Sequence, residues 1–323
     1  MSDSQKITFS PSPHVHTSRT TPGAMLHVLA ALLPAVACSL YFFGLPALEV
    51  LVLSVAGCVG VEWAVTRYML RRPSTIADGS AALTGVLLAL NLPSGIDWWI
   101  VLIGAVVAIG IAKMAFGGLG CNIFNPALVG RVFLLISFPV AMTTWPLPDP
   151  GFGDADGATG ATILGQIKLG AIADPSALPL GNMFAGDMGG SMGEISAAAL
   201  LLGFVYLLAV RIIKWYIPVA IFAGVAAMDL LCGFPVLVDL LSGGLMLGAI
   251  FMATDYVTSP MTRNGMLLYG FLIGIITVAI RRWGVYPEGM SFAILVMNGF
   301  TPLINRYMRP SRFSPRRKEG VAA

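Results

Sequence analysis

Charged side chains are scarce in this chain. Asp, Glu, Lys and Arg make up 11% of its 323 residues, whereas 57% are hydrophobic. A soluble domain carries about 25% charged residues, so a soluble core does not explain the deficit. The composition therefore predicts a polytopic membrane protein, whose helix lengths are set by the bilayer. The net charge of +3 is small, and we expect membrane lipid, not nucleic acid, around the protein.

The chain also has little that would bind a metal or cleave a nucleotide. Two of its three histidines, His14 and His16, lie in a polar N-terminal stretch, away from any acidic partner. Its four cysteines form no CxxC pair, which excludes a local zinc or iron–sulfur motif, and we assign no redox role to Cys121. No phosphate-binding glycine loop, HExxH or GxSxG motif is present, so ATP-driven or hydrolytic chemistry has no support.

We expect no cleavable export signal. Residues 1–23 are polar and contain proline, and the first apolar run follows without the order of regions typical of a signal peptide. We expect that run to be a retained helix. The predicted organisation is a cytoplasmic N-terminal tail over 1–23, a transmembrane domain over 24–306 and a basic cytoplasmic C-terminal tail over 307–323.

Apolar runs predict about ten transmembrane helices, most of them near the required length of about 20 residues when tilt is allowed, whereas the third and the tenth are short. The predicted segments are 24–43, 48–68, 80–91, 98–114, 127–142, 195–212, 217–232, 236–254, 266–280 and 291–307. A long polar stretch, 143–193, separates the fifth segment from the sixth. The chain is therefore predicted to be an all-α membrane bundle with one long loop.

Basic residues follow every second segment, as in "RYMLRR" (Arg67–Arg72) and "RIIKW" (Arg211–Trp215). Loops of this kind are cytoplasmic in membrane proteins. Both termini are therefore predicted to be cytoplasmic and the loop 143–193 to be periplasmic, in a bacterial inner membrane. Arg281 and Arg282 break the pattern, because they would face outward. Either they have a specific anionic partner or the number of segments near the C-terminus differs by one.

Two polar stretches interrupt the apolar helices. "GGLGCNIFNPALVG" (Gly117–Gly130) follows the fourth segment, and "MATDYVTSPMTRNG" (Met252–Gly265) follows the eighth. Non-helical backbone at membrane depth is tolerated where it is buried in protein or lines a cavity. Breaks at matching places in two halves of a chain indicate a central binding site. The alternative is a pair of ordinary cytoplasmic loops.

Carboxylates inside apolar segments are costly and are usually functional or paired. Asp229 lies deep in the seventh segment, where either an ion- or proton-linked role or a hydrogen bond to a neighbouring helix would account for it. We expect Glu62 to lie near the interface and to pair with Arg67. Asp239 and Glu49 lie close to segment ends, and we expect both to be solvated.

The loop "DADGATGATILGQ" (Asp154–Gln166) contains two threonines, Thr159 and Thr162, which flank Gly160 and Ala161. Gly160 lets the backbone bend and Ala161 adds almost no bulk. We therefore expect an accessible threonine hydroxyl that a modifying enzyme can reach. Esterification through a phosphate is the modification that such a site suits.

Several stretches together resemble one family of bacterial membrane proteins. They are "TGATIL" (Thr159–Leu164), "GSAALTGVLLALNLPSGIDWW" (Gly79–Trp99), "GGLGCNIFNPA" (Gly117–Ala127), "ATDYVTSP" (Ala253–Pro260) and "YPEGMSFAILVMN" (Tyr286–Asn298). The family comprises the RnfD component of the Rnf ion-translocating electron transport complex and the NqrB component of the sodium-pumping NADH:quinone reductase. The resemblance covers most of the chain, and the short N-terminal tail favours the Rnf component. It departs at Tyr256, where a proline is expected.

The resemblance implies that Thr162 carries FMN through a phosphoester. It also implies that a flavin transferase recognises Thr159, Gly160 and Ala161 outside the cytoplasm. The distribution of basic residues places the same loop outside by an independent argument. The expected cofactor of the exported loop is therefore covalent FMN.

The resemblance further implies a non-covalent riboflavin in the membrane part. We expect it at the two breaks, where Asn122 and Asn125 of the first and Asp255 and Thr258 of the second would bind the edge of the ring. The implied fold is a bundle of two related halves of five helices, similar to urea transporters.

The implied activity is electron transfer, in which the protein positions a flavin and the cofactor does the redox chemistry. The chain would carry electrons between ferredoxin- and NAD-linked partner subunits of an Rnf complex, coupled to movement of Na⁺ or H⁺, and would not be a complete enzyme alone. The alternative is a channel or secondary transporter for a small neutral solute, with the breaks as its filter. A structural scaffold subunit is a third interpretation. A flavin on Thr162 distinguishes the first interpretation from the other two.

Overall fold

The computed structural model describes residues 20–72, 75–148, 159–172, 174–186 and 189–308. The two predicted tails lie largely outside these ranges, as do His14, His16 and residues 154–158 of the threonine loop. Within the described ranges the chain is helical apart from one short two-stranded ribbon and its loops. The predicted all-α class is confirmed.

The helices follow the predicted apolar segments closely in most of the chain. They are α1 (Thr21–Ala64), α2 (Ser80–Leu90), α3 (Trp98–Ala105), α4 (Pro126–Ser137), α5 (Pro139–Thr143), α6 (Ile163–Lys168), α7 (Leu180–Ala185), α8 (Ala197–Ala209), α9 (Tyr216–Cys232), α10 (Val236–Leu241), α11 (Leu245–Leu247), α12 (Arg263–Trp283) and α13 (Met290–Tyr307). Three π-helical turns continue α1, α3 and α11, at Val65–Met69, Val106–Ile111 and Gly248–Met252. Short 3₁₀ turns lie at Ile76–Asp78, Met114–Phe116 and Pro175–Ala177. The ribbon pairs β1 (Trp145–Pro146) with β2 (Thr159–Gly160).

Three helical stretches are long and apolar enough to cross a bilayer, judged by length and composition over the described residues. They are Thr21–Met69, Trp98–Phe116 and Arg263–Trp283, and four shorter apolar helices, α2, α4, α8 and α9, accompany them. Large apolar side chains on the outer surface, such as Leu33, Leu202 and Leu231, are exposed. In water such a surface would be unfavourable, so this is a membrane-embedded protein.

The first two predicted segments are joined at Gly44. This residue has φ 64° and ψ −141°, which is not helical and which glycine adopts most easily. Pro46 follows it and has the fixed φ that suits the first turn of a helix. The predicted interruption between the two segments is therefore present, as a kink and not as a loop.

The eighth predicted segment, 236–254, is not one helix. The chain forms α10, turns through Gly243 and Gly244 with φ 68° and 61°, and then forms α11 and its π-helical turn. The apolar residues on both sides led to one predicted helix, although Ser242, Gly243 and Gly244 interrupt the run and the two glycines adopt the left-handed conformation at little cost. The prediction of a single helix here is wrong.

Helices α9 and α12 pack with their backbones in contact. A Cβ added to Gly224 would lie 2.3 Å from the carbonyl oxygen of Phe271, and one added to Gly274 would lie 2.4 Å from that of Ile221. Close approach through small residues is the usual way that helices associate in lipid, where apolar burial contributes little. The pair α1 and α2 uses the same device at Gly85, against the backbone of Val55.

Glu62 does not pair with Arg67, so that expectation is wrong. Its Oε2 lies 2.5 Å from Nζ of Lys113, and its Oε1 accepts a hydrogen bond from the Thr75 hydroxyl at 2.6 Å. The Lys113 ammonium also donates to Oγ of Ser80 at 2.8 Å. Both charged side chains are buried. The pair joins two elements that are remote in the chain, which helix spacing alone does not reveal.

Arg281 and Arg282, at the end of α12, have the anionic partners that their position required. Asp239 lies 3.4 Å from Nη1 of Arg281 and 3.3 Å from Nη2 of Arg282, and Asp229 lies 3.6 Å from Nη2 of Arg282. Arg281 also donates to three main-chain carbonyl groups, that of Asp239 in α10 and those of Ser242 and Gly243 in the turn that follows. The side chain of Asp239 has no exposed surface, so the expectation that it is solvated is wrong. For Asp229 the structure shows an ion contact to the neighbouring helix α12 and not the hydrogen bond expected as the structural alternative, because neither carboxylate oxygen has a hydrogen-bond partner among the described residues.

Candidate functional site: the Thr162 cavity and the central cleft

Thr162 is the N-cap residue of the short helix α6. Its Oγ1 accepts a hydrogen bond from the main-chain N–H of Gly165 at 3.1 Å, which is the usual role of a threonine at this position. Among the described residues, its hydroxyl donates to no group. The residue is only 4% exposed. The expectation of an openly accessible hydroxyl is therefore wrong in this conformation, since Thr162 faces a cavity.

Thr159 and Gly160 of the T-G-A-T motif form β2 of the ribbon, and Ala161 follows directly after it. Gly160 is paired with Trp145 and Thr159 with Pro146, which lie on β1. Thr159 and Ala161 are exposed, whereas Gly160 is half-buried. A Cβ on Gly160 would lie 2.9 Å from Cδ2 of Leu147, so a larger residue would displace this neighbour. The motif therefore exposes Thr159 and Ala161 at the surface, whereas Thr162 is buried beside the cavity.

The cavity beside Thr162 has a volume of about 260 Å³. Its wall includes two cationic side chains, Arg131 and Lys168, together with Tyr286 and Glu288. The Tyr286 ring is stacked on Phe292 with the ring centres 5.6 Å apart. The cavity thus combines Lys168, the Arg131–Glu288 ion pair and an aromatic side chain next to Thr162.

Lys168 connects α6 to the chain between α12 and α13. Its Nζ donates to the carbonyl oxygen of Gly284 and to that of Val285, the latter at 3.1 Å. Partial desolvation in the cavity wall lowers the pKa of the Lys168 ammonium. Lys168 therefore both fixes the position of the threonine helix and supplies positive charge at the cavity.

Arg131 supplies the buried charge of the same cavity. It projects from α4, and its guanidinium contacts Oε2 of Glu288 and Oγ of Ser291. Arg131 Nε and Glu288 Oε1 are buried and have no hydrogen-bond partner among the described residues. Buried polar atoms usually have partners, so these two atoms leave hydrogen-bonding capacity at the cavity that a polar ligand could use.

A second cavity lies where the two breaks meet. Asn122, Asn125 and Asp255 line a space of about 80 Å³, which adjoins a cleft of about 680 Å³ that also includes Asp255. Thr258 lies behind the wall, where its hydroxyl donates to Oδ2 of Asp255 at 3.1 Å. The structure thus brings three of the four predicted residues to one space and places the fourth in direct contact with one of them.

Asn125 joins the two breaks. Its Nδ2 donates to the carbonyl oxygen of Met252 at 3.2 Å, and its Oδ1 accepts from the N–H groups of Ala127 and Leu128 at the start of α4. Asn122 Nδ2 donates to the carbonyl oxygen of Phe124 at 3.1 Å. Both amides are thus already used within the protein, so their part in ligand binding is restricted to the remaining capacity of each group.

Sequence reasoning missed four charged residues at these cavities: Arg131, Lys168 and Glu288 beside Thr162, and Lys113 beside Asn122. Two signals were present. Arg131 is a lone basic residue within an apolar segment, and Glu288 lies in one of the stretches that carry the resemblance. Their meeting depends on helices that are far apart in the chain.

The fold and the two cavities define a helical, membrane-embedded protein with a threonine motif beside one cavity and chain breaks around another. The chain matches the model of the NQR2, RnfD, RnfE family over residues 8–314 and belongs to that family.

Three relatives are similar over nearly their whole length, and each is named as the D component of a complex. That of the Na(+)-translocating ferredoxin:NAD(+) oxidoreductase complex of Acetobacterium woodii is 46% identical over 309 residues, covering 94% of each chain. That of the ion-translocating oxidoreductase complex of Stutzerimonas stutzeri is 43% identical, covering 93% of this chain and 94% of the relative. That of the proton-translocating ferredoxin:NAD(+) oxidoreductase complex of Clostridium ljungdahlii is 42% identical, covering 96% and 97%.

Proposed function

We propose that this chain is the flavin-carrying membrane subunit of an ion-translocating ferredoxin:NAD oxidoreductase complex, with FMN joined to Thr162 through a phosphoester. The observation that carries the proposal is the position of Thr162, whose hydroxyl lies at a cavity lined by Arg131, Lys168 and Tyr286. The names of the relatives support the complex. The two relatives are named for different ions, and the translocated ion is Na⁺ or H⁺.

The residues at the cavity fit an attached FMN. Replacing the Thr162 hydroxyl proton by phosphorus breaks no hydrogen bond among the described residues, because that hydroxyl only accepts. Lys168 and Arg131 would hold the negatively charged phosphate by charge-assisted contacts. Tyr286 offers an aromatic face to the ring. The volume of about 260 Å³ is slightly below the usual range of about 300–1,000 Å³ for ligand sites, so part of the cofactor would project from the cavity.

When bound, FMN would supply one- and two-electron redox chemistry, which no side chain of the protein provides. The role of the chain is to position the flavin, to set the charge around it and to limit access of water. Electrons would reach and leave it through the other subunits of the complex, which are its partners. A flavin transferase that recognises the exposed Thr159 and Ala161 would attach the FMN.

A second flavin, riboflavin, belongs to the proposal at the central cleft. Asn122, Asn125, Asp255 and Thr258 would contact its polar edge, and Lys113 would add a buried cation at the same wall. The unfilled space of the adjoining cleft, about 680 Å³, supports this assignment, because it is within the range of small-molecule sites.

The arrangement in the membrane is also proposed. About ten segments would cross the bacterial inner membrane in two related halves, as in urea transporters, with both termini cytoplasmic and the Thr162 loop periplasmic. Supporting evidence for the two halves comes from the breaks. Each follows a π-helical turn, at Val106–Ile111 and Gly248–Met252, and each ends at a capped helix, by Asn125 and by Thr262.

The test is in-gel fluorescence of the full chain produced together with its flavin transferase. The proposal expects a fluorescent band after boiling in SDS, and loss of that band in Thr162→Ala. Thr159→Ala should weaken the band without removing the attachment atom. A dark wild-type band, with the transferase active on a control protein, would refute the flavin carrier and leave the channel or transporter for a small neutral solute as the remaining account.

A further inference from the structure

Three buried ionisable side chains meet behind the Thr162 cavity. Arg131 comes from α4, Glu288 from the connection before α13, and Glu194 from the segment before α8. Their exposed fractions are 4%, 6% and 6%. We call these three residues the carboxylate–arginine cluster. It has two carboxyl groups for one guanidinium.

The two carboxyl groups are held differently. Glu288 is in direct contact with Arg131 through Oε2. Glu194 is near the same guanidinium without an ion pair to it within 4 Å among the described residues: a Cβ on Gly244 would lie 3.3 Å from Oε2 of Glu194 and 3.9 Å from Nη1 of Arg131. Glu194 Oε2 is buried and has no hydrogen-bond partner within the described part of the chain. Arg131 therefore neutralises Glu288 first and Glu194 only in part.

The other charged groups near the cluster do not complete the neutralisation. Lys168, on α6, lies in the cavity wall and its ammonium is engaged by the carbonyl groups of Gly284 and Val285. Arg281, on α12, lies behind Gly243 and is engaged by Asp239 and by carbonyl groups. With both its carboxyl groups ionised the cluster carries a net charge of −1, which is costly in a buried site. Burial and then the neighbouring Glu288 raise the pKa of Glu194 to about 8, so this carboxyl group is ionised in only part of the molecules near neutral pH and in most of them at higher pH.

We propose that Glu194, in the molecules in which it is ionised, takes up a proton when an electron reaches the flavin held at Thr162, an inference that rests on the proposed function. The negative charge added to the flavin at the cavity is attracted to the Arg131 guanidinium and repels the Glu194 carboxylate. The ionised form of Glu194 is therefore less stable after reduction than before it. The electron comes from the redox partners in the complex and the proton from water. An O–H bond forms at Oε2 of Glu194, so the cavity and cluster together gain no net charge, and reoxidation reverses both steps.

Glu194 does not line the cavity, so it would not touch the flavin. It would affect the flavin indirectly, through the charge of Arg131. Its effect is therefore expected on the potential of the flavin and not on attachment. The variants Glu194→Gln and Glu194→Asp should be as fluorescent as wild type in the gel. This separates the inference from the proposed function, which fails if the wild-type band is dark.

The experiment uses the full chain carrying its flavin, with the Thr162→Ala protein subtracted to remove the contribution of any other flavin. Two quantities are measured: the pH dependence of the midpoint potential, and the infrared difference spectrum of reduced minus oxidised protein. Wild type should show a potential that falls as pH rises, and a new protonated-carboxyl band that shifts in D₂O. Glu194→Gln should lose the band and have a flatter pH dependence.

Two further variants make the result decisive. Asp174→Asn removes an exposed carboxylate of the same loop and should change neither quantity. Glu194→Asp keeps a carboxyl group, so the band should persist at a different frequency. The inference is overturned if the band remains in Glu194→Gln, if it is unmoved in Glu194→Asp, or if wild type shows no such band while its flavin is attached and reducible.

Discussion

The buried pair of Lys113 and Glu62 allows a quantitative prediction. At a separation of 2.5 Å, Coulomb's law with an effective dielectric constant of about 20 gives an attraction of about 7 kcal/mol. Desolvation of the two ions offsets most of this. Removing one partner leaves the other ion buried and uncompensated. We therefore expect Lys113→Met to lower the free energy of unfolding by about 3–5 kcal/mol.

The double variant Lys113→Met with Glu62→Gln tests the reasoning. It removes both charges, so its free energy of unfolding should return to within about 1 kcal/mol of wild type. The measurement is unfolding by SDS in mixed micelles, followed by tryptophan fluorescence. Glu49→Gln, which alters an exposed carboxylate on the same helix, is the control and should have little effect.

Two results would refute this account. One is a loss below about 1 kcal/mol in Lys113→Met, since burial of an unpaired carboxylate is expected to cost several times more. The other is a double variant whose loss equals the sum of the two single losses, because independent effects would mean that the residues do not interact.

Three further predictions concern the packing of α9 on α12, the ion pairs of Arg281 with Asp239, and Thr162. Gly274→Ala should destabilise the protein by about 1–3 kcal/mol in the same SDS titration, because its Cβ would lie 2.4 Å from a carbonyl oxygen. The control Gly60→Ala, which has open space around its Cβ, should be neutral or stabilising. Arg281→Met should lower the midpoint of unfolding, because it leaves Asp239 with fewer positive partners. Adding Asp239→Asn should recover part of the loss. A double variant no more stable than Arg281→Met would contradict the pairing. Thr162→Ser keeps both the cap and the hydroxyl, so its band in the fluorescent gel should persist where that of Thr162→Ala is lost.

Much of the helical layout is predictable from this sequence. The bounds of α2 and α9 agree with the predicted segments to within one residue, because apolar runs end where polar residues or glycine begin. The run 236–254 failed the same reasoning, since apolar residues continue on both sides of the turn at Gly243 and Gly244. Hydropathy reports what surrounds a segment and contains little information about the path of the backbone within it.

The candidate site divides in the same way. The T-G-A-T motif and the two polar breaks are local patterns, and they identified Thr162 and Asn125 without a structure. The partners of these residues are non-local, because Glu288 meets Arg131 and Asn125 meets Met252 only after distant segments pack.

The sequence by itself determined that this is a helical membrane protein and to which family it belongs, because composition, run length and motif spacing are properties of contiguous residues. Only the tertiary structure decided that Thr162 is buried at a cavity and that Glu62 pairs with Lys113 and not with Arg67. The physical reason is that a buried charge takes the partner nearest in space. Which residue that is depends on how separate helices pack, and not on their order in the chain.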